Sequence, residues 1–379
     1  MSPVRVLIAP DAFAGALTAA QAATAMANGW AAHAPGDVVT TLPLSDGGPG
    51  FVDVIAAARG GDLVPVTVRG PVGSDVPATV LLVGDTAYVE SAQAIGTHLD
   101  PHRDPTRTTS AGLGDLLAEA VRAGATRVVV GCGPAAANDG GAGLLAALGA
   151  GTDPRLLAGA AGLADLPDDA LSRLADVRER LSGVELLAAT DADLPLLGFH
   201  GTSATDAQAH GATAEQAQAM ESALGRYADV AQRSLVAGRV LMGRGQAGEP
   251  GSGAAGGAVF ALLLLGARRV SGVQLVLEAV RFEHHLVRTD LLVTGGATFA
   301  GGSLHHGVIA SVAGAALERG VPTVVIAQQV QVGRREALAV GVSGAYAVVE
   351  RPAQAQAART DPAGTLTHRA QRVARTWSH

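Results

Sequence analysis

The stretch Val38-Val39-Thr40-Thr41-Leu42-Pro43-Leu44-Ser45-Asp46-Gly47-Gly48-Pro49-Gly50 carries the reading of the fold. A β-branched run ends at a proline, and an acidic glycine-rich turn leads into the apolar segment that begins at Phe51. A strand that passes through such a turn into a helix is the repeating unit of a parallel sheet covered by helices. The reading predicts a strand over Val38–Pro43 and a helix from Asp46 through Ala58, with Pro49 suited to its first turn. Upstream, Val4–Ala9 reads as a fully buried strand. Thr18 with Gln21 forms a capping box ahead of a helix that runs to about His33.

A second turn of the same kind lies downstream: Gly131-Cys132-Gly133-Pro134-Ala135-Ala136-Ala137-Asn138-Asp139-Gly140-Gly141. It follows the predicted strand Arg127–Gly131 and opens a small-residue helix over Gly140–Leu148. Glycine in both turns lets backbone approach a ligand, and a helix N-terminus offers free N–H groups to an anion. Between the two turns the rhythm changes. Val64–Val68, Ala78–Val83 and Ala87–Glu90 read as short antiparallel strands, followed by a helix near 109–123. Further on, Val184–Thr190 is a strand ending at Asp191, 214–236 a helix, and Gly243–Gly253 a glycine-rich loop before the apolar helix Gly256–Leu265. The alternation returns with strands at Asp290–Thr294, Val321–Ala327 and Ala345–Val349, and helices at Ser303–Arg319 and about 364–376. The expected fold is α/β: a parallel-sheet domain from residues 1–63 and 285–379, with a second α/β domain, 64–284, inserted into it.

With 379 residues the chain can form two domains with sizeable cores. Its 48% hydrophobic content against 16% charged residues excludes a disordered chain. The net charge of −7, with no basic run, argues against a nucleic-acid partner. The single cysteine, Cys132, cannot close an internal disulfide, and its neighbours suggest a small buried thiol. No basic and apolar leader and no span long enough for a bilayer are visible, so the expectation is a cytoplasmic protein without a membrane partner. All 27 basic residues are arginine, and there is no lysine. A lysine-dependent phosphate loop of the Walker type is therefore impossible.

Several further segments join the two turns: Ile8-Ala9-Pro10-Asp11-Ala12-Phe13-Ala14-Gly15-Ala16-Leu17, Glu90-Ser91-Ala92-Gln93-Ala94-Ile95-Gly96 and Thr109-Ser110-Ala111-Gly112-Leu113-Gly114. Asp191 with Pro195-Leu196, Gly253-Ala254-Ala255-Gly256-Gly257 and Asp290-Leu291-Leu292-Val293-Thr294-Gly295 complete the set. In this order and spacing, over nearly the whole chain, they resemble the two-domain bacterial glycerate kinases. The resemblance implies a Rossmann-like domain with an inserted domain, and phosphorylation of D-glycerate by ATP with Mg²⁺. It implies catalytic roles for Asp46, Asp139 and Asp191, with Asp46 and Asp191 as metal ligands. It further implies substrate or nucleotide contacts at Asp11, Gly47, Gly48, Glu90, Arg103, Asn138, Gly140, Gly253, Gly256 and Gly295.

The chain also departs from the family's pattern. Ala14 stands where the family has lysine, Pro49 where it has glutamate, and Ala135 and Ala137 where it has hydroxyl residues. Asp191-Ala192-Asp193-Leu194-Pro195-Leu196 lacks the family's asparagine. Gly296, Thr298, Ala300, Gly302 and Gly307 occupy the places of Glu, Arg, Asp, Gln and Lys. Positive charge aimed at the transferring phosphate is the main catalytic resource of phosphoryl transfer, so these changes imply weakened or absent turnover. Arg103, Arg107 and Arg244 are the candidate substitutes, although an arginine fork is not equivalent to a lysine point charge. A non-catalytic ligand sensor or partner scaffold, or a kinase for a different small hydroxy compound, are the alternatives. Read singly, Asp46 and Asp139 are helix N-caps rather than functional residues; the resemblance to the family reverses that reading for both. His284-His285 and His305-His306 read as exposed polar pairs, since neighbours in sequence usually face different ways. His210 lies near a family position that is normally lysine.

Overall fold

The computed structural model describes residues 3–13, 15–235, 245–351 and 353–378. In chain order its strands are β1 (Arg5–Ile8), β2 (Val38–Thr41), β3 (Asp62–Arg69), β4 (Asp75–Val83), β5 (Thr86–Glu90), β6 (Arg127–Gly131), β7 (Glu185–Ala189), β8 (Arg268–Val270), β9 (Leu291–Thr294), β10 (Thr298–Phe299), β11 (Thr323–Ala327), β12 (Gln329–Val330) and β13 (Val342–Ala347). The chain divides into two compact units. The first holds Met1–Asp46, Asp53–Arg59 and Val273–His379; the second holds Gly47–Val52 and Gly60–Gly272.

The first unit is built on a five-stranded sheet in the order β13-β11-β9-β1-β2, parallel throughout. Its three central strands, β1, β9 and β11, are buried on both faces, as strands covered on both sides by helices are, while the edge strands β2 and β13 are more exposed. Val6, Ile8, Val293 and Ile326 face a core that includes Met26 and Trp30 of the helix Ala19–His33 and Leu366 and Val373 of the helix Pro362–Trp377. Val325 and Ala327 point the other way, onto Ile309 and Ala313 of the helix Gly307–Glu318. The capping box is present: Thr18 Oγ1 accepts from the Gln21 N–H at 3.2 Å, and Gln21 Oε1 accepts from the Thr18 N–H at 2.9 Å.

The second unit carries a six-stranded sheet in the order β3-β4-β5-β6-β7-β8. β3, β4 and β5 pair antiparallel, and β5 through β8 run parallel. Leu113, Leu116, Val128, Val130, Leu144 and Phe260 are among its fully buried core.

Three predicted helix starts move. The helix expected from Asp46 begins at Phe51, and those expected from Gly140 and Gly256 begin at Ala142 and Ala258. In each case glycine holds the chain in the left-handed region just before the helix: Gly47 (φ +97°) and Gly50 (+91°), Gly140 (+66°) and Gly141 (+79°), Gly256 (+64°) and Gly257 (+86°). Such residues cannot stand inside a right-handed helix, only at its first position or before it. The helix expected over Ser303–Arg319 is split for the same reason. A 3₁₀ turn, Gly301–Leu304, precedes the helix proper, which starts at Gly307 with φ +82°.

Candidate functional site

In the first unit the chain steps outward from β1 to β2 and later returns on the other side of β1 as β9. The order therefore reverses between β1 and β9. In open α/β sheets ligands bind beyond the strand C-termini at such a reversal. Asp11 stands there. The ladder continues past the strands, with the Ala9 N–H donating to Val293 O at 2.8 Å and the Asp11 N–H to Gly295 O at 2.9 Å. Asp46 is brought alongside by the extension of β2, where the Leu44 N–H donates to Pro10 O at 2.9 Å. Burial, and secondly the Asp46 charge, hold the Asp11 carboxyl well above the usual carboxylate range, opposed by an N–H bond from Ala12 at 2.7 Å.

Gly295 and Gly296 close this edge and differ sharply. A Cβ on Gly295 would lie 1.8 Å from Ile326 O, so only glycine fits. A Cβ on Gly296 would meet nothing nearer than Asp11 Cβ at 3.6 Å, an ordinary contact. The backbone there has room for a Cβ.

The candidates of the second unit lie at the C-terminal ends of its parallel strands. Glu90 ends β5 and is buried. Its carboxylate accepts from the Gly50 N–H at 3.1 Å and the Val52 N–H at 3.2 Å, capping the helix Phe51–Arg59 from a distant strand. Gly47 packs so closely that a Cβ would lie 2.5 Å from Ala189 O, and a Cβ on Gly133 would lie 2.6 Å from the Gly48 Cα.

Asp139 follows β6 and has no exposed surface. It receives five donors: Ser110 N–H (2.8 Å), Ser110 Oγ (3.0 Å), Thr109 Oγ1 (3.4 Å), Gly143 N–H (3.1 Å) and Gly141 N–H (3.0 Å). Burial raises its carboxyl, and these bonds oppose the rise. Tyr227 packs nearby, and burial followed by the Asp139 charge lifts its phenol well above its ordinary value. The geometry of Asp139 is that of a cap binding the start of the helix Ala111–Arg122 to the start of Ala142–Ala147. Neighbouring Asn138 is also buried, its Oδ1 accepting from Thr202 Oγ1 at 2.8 Å. Gly140, Gly253 and Gly256 stack three loops by backbone contact. The Gly140 N–H donates to Gly256 O at 3.0 Å and the Gly253 N–H to Leu194 O at 3.0 Å. A Cβ on Gly256 would lie 1.7 Å from Ala137 O.

Asp191 follows β7 and is partly exposed. Ser271 Oγ, just beyond β8, donates to its Oδ1 at 2.5 Å. The two lie on the wall of an open cavity of about 630 Å³, with Glu249, Arg269, Val270 and Leu263 among its lining. That volume suits a small ligand. Arg269 contacts Asp193 at 2.5 Å and Pro250 O at 3.3 Å.

Arg103 is exposed, with a left-handed backbone (φ +52°) and a 2.7 Å bond to Ala209 O. Arg107 is exposed as well, while Ala14 and Arg244 lie outside the described residues. The adjacent rings of His284 and His285 meet edge to face at 87°, and those of His305 and His306 at 67°. Among the described residues no three His, Cys, Asp or Glu side chains gather into a ready-made metal cage. None of the described helices is long and apolar enough to cross a membrane. Cys132 is buried, and burial alone pushes its thiol up to about 12.

The structure thus brings together Asp11, Asp46 and Gly295 in one unit. In the other it groups Glu90 with the Gly47–Gly50 turn, and Asn138 and Asp139 with Gly140, Gly253 and Gly256. Ser271 and Arg269 beside Asp191 escaped the sequence reading, since neither sits in a recognisable motif. Ser110 lay within a quoted motif, but only its bond to Asp139 reveals its part.

Residues 6–378 match the profile of the Glycerate kinase family. An uncharacterised Mycobacterium bovis protein is 37% identical over 377 residues, covering 98% of this chain and 91% of the relative. The glycerate kinase of Bacillus subtilis is 35% identical over 356 residues, covering 91% and 90%. A crystal structure from Salmonella typhimurium LT2, assigned to glycerate kinase 2, superposes with a TM-score of 0.71 at 32% identity, covering 99% of this chain and 98% of that one.

Proposed function

The chain belongs to the glycerate kinase family, and from that premise we propose that it transfers the terminal phosphoryl group of ATP to a hydroxyl of D-glycerate. The observation that carries this reading is the Asp11–Asp46 pair at the strand-order reversal of the parallel sheet. Hard carboxylate oxygens suit Mg²⁺, which is commonly held by one or two carboxylates together with phosphate oxygens and water. Asp11 and Asp46 would hold it, and the ion would neutralise charge on the phosphates. Their mutual repulsion favours a cation between them and makes its binding stronger as pH rises.

Asp191 is the other acidic candidate, steadied by Ser271 on the wall of its own cavity. A carboxylate in that setting can orient a ligand hydroxyl or accept its proton. Positive charge must come from arginine, the metal and backbone N–H groups, because the chain has no lysine. Asp139 serves in this reading as a positioning residue: it has no exposed surface, four of its five donors converge on Oδ2, and the fifth, the Gly141 N–H, binds Oδ1.

One observation favours a second reading, a non-catalytic ligand-binding protein. Gly296 has room for a Cβ beside Asp11 yet carries none. ADP and phosphoglycerate formation from ATP, Mg²⁺ and D-glycerate, followed by phosphorus NMR, separates the two. The kinase reading expects product that falls about a hundred- to thousandfold in Asp46→Asn, as for loss of a key electrostatic group. Folded protein that forms no product over hours would overturn it.

A further inference from the structure

His210 and Asp100 form a buried pair, 110 residues apart in sequence and 3.0 Å apart in space, that the proposed chemistry does not use. Asp100 is a hub. Its Oδ1 accepts from the His102 N–H at 3.0 Å, and its Oδ2 from the Asp104 N–H at 2.8 Å as well as meeting His210 Nε2. These bonds wrap the chain around Arg103, whose left-handed backbone is unusual for a residue with a side chain. Such a conformation persists only where the surroundings enforce it, and it concentrates at functional positions. The enforcement comes from the segment that carries His210. Arg103 Nη2 donates to Ala209 O at 2.7 Å, and Gly211 lies so near that a Cβ would stand 2.4 Å from Arg103 O.

The strip continues under restraint. Thr106 donates through N–H and Oγ1 to Asp104 Oδ1, the Ala161 N–H donates to Thr106 O, and Thr108 Oγ1 donates to Ala136 O. It ends at Ser110, bound to Asp139. Two exposed arginines, Arg103 and Arg107, therefore ride on a strip fastened at one end by His210–Asp100 and at the other by Ser110–Asp139. In a chain without lysine, positive charge for an anionic ligand has to come from arginine side chains, and a guanidinium suits a phosphate or carboxylate.

We infer that His210 is a positioning residue: through Asp100 it fixes the turn that presents Arg103 to the phosphate or carboxylate of the ligand. The inference rests on the kinase reading for the ligand's identity, but not for the anchoring itself. The test is a double-mutant cycle on His210→Ala and Arg103→Ala, read by calorimetric titration with ATP in Mg²⁺ and with D-glycerate. Each single variant should weaken at least one ligand about tenfold, and the double variant should be no weaker than Arg103→Ala, because the two residues act as one unit. His210→Gln, which keeps a donor for Asp100, should stay within about twofold of the wild type. A folded His210→Ala protein with unchanged affinity, or single losses that multiply in the double variant, would overturn the inference. Binding of neither ligand by the wild type would instead count against the kinase reading. Trypsin then decides the anchoring, since it can cut this chain only after arginine. Cleavage between Arg103 and Asp104 should be about tenfold faster in His210→Ala, as local opening becomes easier; equal rates would overturn it.

Discussion

A buried carboxylate surrounded by five donors cannot be removed without stranding them. Asp139→Ala is therefore expected to cost on the order of 3 kcal/mol or more, measured as a lowered denaturant midpoint. Loss of activity in that variant would report unfolding, which makes Asp46→Asn the cleaner probe of chemistry. The two glycines after β9 make a matched pair. Gly295→Ala forces a carbon against Ile326 O and should cost roughly 2–3 kcal/mol. Gly296→Ala should change stability by no more than about 0.5 kcal/mol. Equal effects in thermal melts would contradict the packing described. Asp11 carries a pH prediction. Its native carboxyl keeps its proton to higher pH than the unfolded one, so its contribution favours the fold at acid pH and is lost as pH rises through the raised native value. Asp11→Asn should therefore raise the melting temperature at neutral pH while abolishing turnover. A lowered melting temperature there would show that the charged form is stabilising.

At the scale of elements, β1 and β9 meet across 285 residues of sequence. Arg5 and Asp290 secure the junction, with the Arg5 N–H and Nε each donating to Asp290 Oδ2 at 2.9 Å. These bonds from Arg5 hold the Asp290 carboxyl down at about 2. The stabilisation is complete above the ordinary carboxylate range and is lost as pH falls through about 2. Arg5→Ala should thus melt earlier than the wild type at neutral pH, and the two curves should converge near that acid limit. Curves that stay equally separated at both pH values would rule the pair out as the cause. The helix Ala19–His33 was legible because its cap is local: Thr18 and Gln21 are three residues apart and satisfy each other. The starts at Phe51, Ala142 and Ala258 were not, because the preceding glycines take left-handed angles and all of them but Gly50 are packed where a Cβ would collide with a residue distant in sequence. Glu90 belongs with them. Nothing around it in sequence indicates that it caps a helix 39 residues upstream at Phe51.

For the whole molecule, the absence of lysine sets an expectation that structure does not alter. An amine-directed reagent should leave activity intact, whereas an arginine-directed dicarbonyl should inactivate the protein, with ATP protecting it. Inactivation by the amine reagent alone would mean that the cationic partner is not arginine. The sequence by itself determined the α/β class, the helix-capped acidic turns and the family, because hydrophobic period, local caps and ordered motifs are written in near-neighbour residues. It also brought Asp11, Asp46, Asp139 and Asp191 forward as candidates. Only the tertiary structure separated them: Asp11 and Asp46 stand together at a reversal of strand order, Asp191 opens onto a cavity, and Asp139 is enclosed by donors. Which oxygens remain available to a ligand depends on groups that are distant along the chain and meet only when the sheets form. Burial and hydrogen bonding, rather than residue type, decide whether an aspartate caps a helix or faces chemistry.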